Sequence, residues 1–347
     1  MGKEIITSYK TRQALLQQNR TQKINDFEMI FLAKHKVHFL NLVSCLFVFA
    51  LSAQEQLHPL SANLQLQNPA TLNQTTAKTS SVTALDTLPF FDDFSYTRLD
   101  SAKWNVETTG MHFNNELQAY VDSNSAISFI NDTAEGAQNG ALVLQPHFAP
   151  GFVTKDGQKF DFISGRINTK SKFDFLYGSA SARIKLTAGA GLWPAWWLLG
   201  NGNWPETGEV DIMENIGEKD WANAAVHGKG YSGDAGLVNR LYFPEKNDVT
   251  SWHIYAVDWT PDSMIFKYDD VPMFRVTKPM TQFFGDWAFN TNKYLLLNFA
   301  VGGIYPFKIN GIKEPYYGLP VSTFQSIKNN ESKMLVDWVR VTKNTGN

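Results

Sequence analysis

Trp204-Pro-Glu-Thr-Gly-Glu-Val-Asp-Ile-Met-Glu-Asn-Ile-Gly217 sets three carboxylates, Glu209, Asp211 and Glu214, on an apolar frame of Val210, Ile212, Met213 and Ile216. Glycines at 208 and 217 bound the segment, and that length with those flanks suits a buried strand rather than a helix. A 3.6-residue period would put Met213 and Ile216 on the same side as Glu209, which spoils a solvated helix face. On a strand the side chains alternate, so Glu209 and Asp211 share a face while Glu214 points the other way. One extra residue between Asp211 and Glu214, a β-bulge, restores the parity and lines all three acids along one face. Such a row repels itself, so it belongs where an acid keeps its proton, a metal binds, or catalysis requires it.

Working outward, residues from 88 to the end alternate short apolar runs with turn residues, as in an antiparallel sandwich or barrel, and no long helix stands out. Ser181–Leu186 places Ala182, Ile184 and Leu186 inward, with Arg183 and Lys185 towards water. Trp252–Trp259 and Met264–Tyr268, separated by Thr-Pro-Asp-Ser, read as a hairpin. Tyr294–Val301 is apolar on both faces apart from Asn298, which marks a central strand of stacked sheets.

The amino-terminal quarter has a different character. Lys34–Ala53 has a basic start, an apolar stretch and a small-residue end, the pattern of a secretory signal too short for a membrane span. Residues 1–28 are polar and unlike a signal, so translation is expected to start at Met29. Cleavage is expected near Ala53 or Gln54, giving a secreted or periplasmic protein. Leu42-Val-Ser-Cys45 also resembles a lipoprotein box, a minor alternative because the apolar residues after Cys45 make a poor tether. Cys45 is the only cysteine, so a chain cut after it forms no internal disulfide. Residues 54–87 read as a low-complexity linker, leaving one domain over 88–347. Losing residues 1–53 removes seven Lys/Arg and three Asp/Glu, taking the formal charge from −2 to −6. That balance argues against a nucleic-acid or anionic-membrane partner, and a monomer is expected.

Gly208–Glu214 resembles the Glu-x-Asp-x-x-Glu signature of glycoside hydrolase family sixteen, in the bulged form found in laminarinases and agarases. Gly191-Leu-Trp-Pro-Ala-Trp-Trp-Leu-Leu-Gly200 resembles the strand that precedes it in that family, with Trp196 in place of the usual Phe. Asn114–Tyr120, Ser164–Ile167, His227–Gly233, Val257–Asp262 and Leu297–Gly303 extend the resemblance over nearly all of the chain from about residue 88. It implies a β-jelly-roll sandwich of two curved antiparallel sheets, whose concave face is a glycan cleft crossed by the acidic strand.

Glycoside hydrolysis needs two carboxyls, and near neighbours on one strand approach the roughly 5–5.5 Å spacing of retaining enzymes. The resemblance implies Glu209 as nucleophile, Glu214 as acid/base and Asp211 as the partner that tunes Glu209. Trp204, Trp221 and Trp193 are candidate sugar platforms, because flat aromatic faces suit the apolar faces of sugars. Trp196 and Trp197 are adjacent and point oppositely, so at most one reaches the cleft. Asn114, Arg166, His227 and Asn298 are candidates for hydrogen-bonding sugar hydroxyls, each of which could equally satisfy a backbone group. No cofactor is expected in catalysis, and His227 beside these acids does not make a convincing transition-metal set.

Asp337 shares strand parity with Leu335, Val339 and Val341, so its carboxylate needs a buried partner. That partner is either a hydrogen-bond network or the structural calcium implied by the resemblance, held by Asp337, Asp93 and the backbone oxygen near Gly140. Asp93 stands where the family usually has the longer Glu, which changes the reach of that ligand. The implied activity is endo-hydrolysis of β-1,3-glucan. An agarase-like hydrolase of a neutral galactan is a second reading, and a glucan-binding protein without hydrolysis a third. Between Leu186 and Leu237 only Lys219 and Lys229 are basic, against seven acids, so a polyanionic glycan would be repelled.

Overall fold

The computed structural model describes residues 89–343. The expectations for the signal segment, Cys45 and the linker therefore lie outside the described residues. Within them the strands are β1 (Phe90–Asp92), β2 (Asn105–Val106), β3 (Gln118–Tyr120), β4 (Ile127–Ile130), β5 (Ala141–Leu144), β6 (His147–Val153), β7 (Lys159–Ser164), β8 (Arg166–Asn168) and β9 (Gly178–Leu186). They continue as β10 (Leu192–Gly200), β11 (Glu209–Glu214), β12 (Trp221–His227), β13 (Leu237–Tyr242), β14 (His253–Trp259), β15 (Ser263–Tyr268), β16 (Val271–Thr277), β17 (Lys293–Val301) and β18 (Met334–Thr342). The α-helices are short: α1 (Lys278–Gln282), α2 (Ile304–Asn310) and α3 (Val321–Lys328).

Two large antiparallel sheets form a jelly-roll sandwich. One runs β16-β15-β14-β9-β18-β5-β4 with β1 paired to β18, and the other runs β13-β12-β11-β10-β17-β8-β2. A third, small sheet, β3-β7-β6, contains a parallel β3–β7 pair that the sequence pattern did not indicate. Alternation builds the core between the large sheets. Leu192, Trp196 and Leu198 of β10, Ala222, Ala224 and Val226 of β12, and Leu295, Leu297, Phe299 and Val301 of β17 all point into it. The opposite parity of the same strands therefore lines the outer, concave face: Trp193 and Trp197, Asn223 and His227, and Asn298.

The sequence patterns for β9, the β14–β15 hairpin and the fully buried β17 all reappear as antiparallel strands. Asp337 departs from its expectation. Its strand shifts register between Val336 and Trp338, so Met334 and Val336 enter the core before the shift, and Val339 and Val341 after it. Asp337 sits at the irregularity. Instead of joining the apolar row, its Oδ2 meets Arg183 Nη1 at 2.5 Å and its Oδ1 accepts the Gln138 N–H at 2.9 Å. Arg183, expected in water, is thus tied down.

Candidate active site

Strand β11 carries the expected bulge. Asp211 pairs with Ala225 and Glu214 with Asn223, so Ile212 and Met213 together stand opposite Ala224. Both bulge residues are fully buried in the core, while Glu209 and Glu214 stay partly open. Glycine is required at both ends. At Gly208 (φ +74°) a Cβ would sit 2.6 Å from the Ala288 carbonyl oxygen, and at Gly217 (φ +87°) it would collide with Gly189.

Each glutamate is held by an indole. Trp204 Nε1 donates to Glu209 Oε2 at 2.8 Å, and Trp193 Nε1 donates to Glu214 Oε1 at 3.0 Å. Asn223 Nδ2 donates to the other Glu214 oxygen at 3.1 Å, and its own Oδ1 accepts from the Tyr305 hydroxyl at 3.1 Å. The tyrosine therefore fixes which end of the amide faces the acid. His227 Nε2 lies 3.2 Å from Asp211 Oδ2 and 3.9 Å from Glu209 Oε1. Burial, then the Asp211 charge, pushes the Glu209 carboxyl well above its ordinary range; burial, then Glu214, does the same to Asp211. Both carboxyls therefore hold their protons more tightly than ordinary carboxylic acids do.

Further along the face, Asn298 Oδ1 accepts from Trp197 Nε1 at 2.7 Å, and its Nδ2 donates to the Tyr120 hydroxyl at 3.0 Å. Tyr120 leads on to Glu116, which also accepts from Gln118 Nε2 at 2.8 Å and Asn114 Nδ2 at 3.4 Å. The Arg166 guanidinium lies over Trp197 and Tyr120, and its Nε is 3.0 Å from Glu107 Oε2.

Of the ten expected catalytic and sugar-contact residues, Glu209, Asp211, Glu214, Trp193, Trp204, Arg166, His227 and Asn298 sit on or beside this face and Asn114 hydrogen-bonds its Glu116, while the expectation for Trp221 requires a correction. It lies on the same side of β12 as Asn223 and His227, yet it is only 5% exposed because Arg240 of β13 stacks 4.1 Å above its ring. Trp204, 52% exposed, is the open platform. Of the adjacent pair, Trp196 is in the core and Trp197 in the cleft. Sequence reasoning missed Glu116, Asn223, Arg240 and Tyr305. Parity along β12 could have found Asn223, but Tyr305 comes from α2 and nothing local announces it.

Asp93 and Gly140 meet near β18. Asp93 Oδ2 accepts from Asn139 Nδ2 at 2.9 Å, and a Cβ on Gly140 would lie 3.1 Å from the Phe94 carbonyl oxygen. Both Asp337 oxygens already have donors, so a calcium there would compete with a guanidinium and an amide. The hydrogen-bond network supplies the partner that this aspartate needs. Among the described residues the one group of three side-chain metal ligands is Glu209, Asp211 and His227.

The sequence model of glycosyl hydrolases family 16 matches residues 112–306, more than half of the chain. This protein belongs to glycosyl hydrolases family 16. It is 31% identical over 232 residues to a beta-glucanase of Rhodothermus marinus, covering 63% of this chain and 76% of that one. With glucan endo-1,3-beta-glucosidase A1 of Niallia circulans it shares 30% identity over 272 residues, which is 73% of this chain and only 37% of that longer relative. The solved laminarinase catalytic domain of Thermotoga maritima superposes with a TM-score of 0.62 at 29% identity, covering 75% of this chain and 98% of that one. The family member described here is thus a glycosidase with its acids in the bulged arrangement.

Proposed function

We propose that the protein is a secreted endo-acting glucanase that cleaves β-1,3-glucan with retention through a covalent glycosyl-enzyme. The observation that carries this reading is the bulge in β11, which turns Glu209 and Glu214 to the same face with Asp211 between them. Glu209 attacks the anomeric carbon as a carboxylate while Trp204 steadies its second oxygen. Glu214, held by Trp193 and Asn223, gives a proton to the leaving oxygen and later takes one from the incoming water.

The substrate follows from the names of the relatives and from the charge of the cleft. Arg166 and Arg240 reach the cleft face from outside the stretch 186–237, but Glu107 neutralises the first, and Glu116, Glu209, Asp211 and Glu214 outweigh the second. A neutral glucan suits that balance better than a sulfated galactan. Laminarin and agarose are the deciding pair of substrates: oligosaccharides from laminarin are expected, and release from agarose alone would overturn the assignment. NMR of the first-formed products should show the β-anomer, and an inverted anomer would refute the covalent step. Export is tested by amino-terminal sequencing of protein from the medium or periplasm, expected to begin at Ala53 or Gln54.

A further inference from the structure

Trp204, Trp193 and Asn223 serve Glu209 and Glu214, but one corner of the cleft is left without donors. Asp211 is only 3% exposed, and its Oδ2 accepts no hydrogen bond; Nδ1 of His227 has no partner either. His227 Nε2 stands 3.2 Å from that bare oxygen without making a hydrogen bond to it, and 3.9 Å from Glu209 Oε1. The imidazole is fixed by packing as well, because a Cβ on Gly236 would come within 2.3 Å of its ring. One donor atom from each of the three residues lies within 4.8 Å of the others.

These separations have a chemical reading. Ligand atoms bound at about 2.0–2.2 Å around a zinc ion stand roughly 3–4 Å from each other, which brackets the two His227 distances, and closing the rest of the group to that range is a short side-chain movement. One imidazole and two carboxylates suit Zn²⁺ or Cu²⁺, whereas Ca²⁺ requires six or more oxygens. The backbone also supplies rigidity: Glu209 and His227 face each other directly across the β11–β12 ladder, and Asp211 is one pleat further along. We propose that Glu209, Asp211 and His227 form a three-ligand site for a divalent transition ion, and that filling it inhibits hydrolysis reversibly. The ion takes the lone pairs with which Glu209 would attack the sugar, so metal and glucan exclude one another.

Binding is measured first without substrate. Zn²⁺ titrated into the full chain by calorimetry, with Co²⁺ followed by visible absorption, should show one equivalent. His227→Gln and Asp211→Asn should each weaken it at least tenfold, while His112→Gln, on the exposed loop before β3, leaves it unchanged. Thermal melts of both ligand variants establish that they are folded. In a separate assay, Zn²⁺ should suppress glycan hydrolysis to saturation, and EDTA should restore it. Absence of binding at millimolar Zn²⁺, or binding indifferent to His227→Gln, would overturn the proposal. Because the titration needs no substrate, it stands or fails independently of the glucanase assignment.

Discussion

Burial lifts the carboxyls of Glu209 and Asp211 above their ordinary values of 4.5 and 3.8, helped by the Asp211 charge at the first and the Glu214 charge at the second, so each has a stability cost that depends on pH. An acid that holds its proton more tightly in the folded chain contributes stability at low pH. It loses that contribution as pH rises from the ordinary value towards the raised one. Asp211→Asn removes the titration, so its melting temperature should exceed that of the natural chain at pH 7–8 and the gain should shrink towards pH 4. The gain accumulates at no more than about 1.4 kcal/mol per pH unit of the window. Scanning calorimetry at the two pH values checks this, and an equal shift at both would contradict the raised titration of Asp211. Glu214→Gln should lower kcat by about 10²–10⁴ while leaving the fold and glycan affinity intact, read by kinetics beside a binding isotherm. The tryptophans separate by exposure. Trp204→Ala should raise KM with little effect on the melt, whereas Trp221→Ala should lower the melting temperature, because it removes a buried ring from under Arg240. Its aromatic face made Trp221 a platform candidate, but residue type says nothing about what a neighbouring strand lays on top.

The bulge in β11 was legible as an element because three acids at offsets of two and three satisfy one face only if a residue is looped out. The same arithmetic predicts the result of shortening it. Deleting Met213 leaves Glu-Val-Asp-Ile-Glu, a regular alternation that keeps all three acids towards the cleft without a bulge. The shortened chain should lose about 2–5 kcal/mol for the missing core side chain, yet hydrolyse at least tenfold faster than Glu214→Gln. A folded but equally dead deletion mutant would show that the bulge does more than set parity. The irregularity in β18 was not legible, because Val336, Asp337 and Trp338 contain no surplus of acids to reveal a slip. Its energetic role is testable through Arg183→Met, which strands the Asp337 carboxylate in the interior. A loss of roughly 3 kcal/mol is expected in urea unfolding, and a neutral effect would indicate another counter-charge.

For the whole molecule, the sandwich and its catalytic row followed from short-range pattern, while much of the sugar-facing chemistry did not. Glu209, Asp211, Glu214, Asn223, His227 and Arg240 all lie on three successive strands joined as a meander, β11 to β13, so their relations are local. Arg166, Tyr120, Glu116 and Asn298 come from segments scattered between residues 116 and 298, and no window of sequence contains their meeting. This division between near and distant parts reaches beyond recognition, into the order in which the cleft comes into being. Contacts between neighbours in sequence close cheaply and early, whereas pairing β17 with β10 and β8 must wait for long loops to close. The scissors are forged before the hand that guides the thread. On that order the acids line up with Trp193 and Trp204 beside them before Arg166, Tyr120 and Asn298 join the face. Partial opening of the finished protein along the β8–β17 seam would return it to that arrangement, with its acids in line and the Arg166–Tyr120–Asn298 part of the face undone.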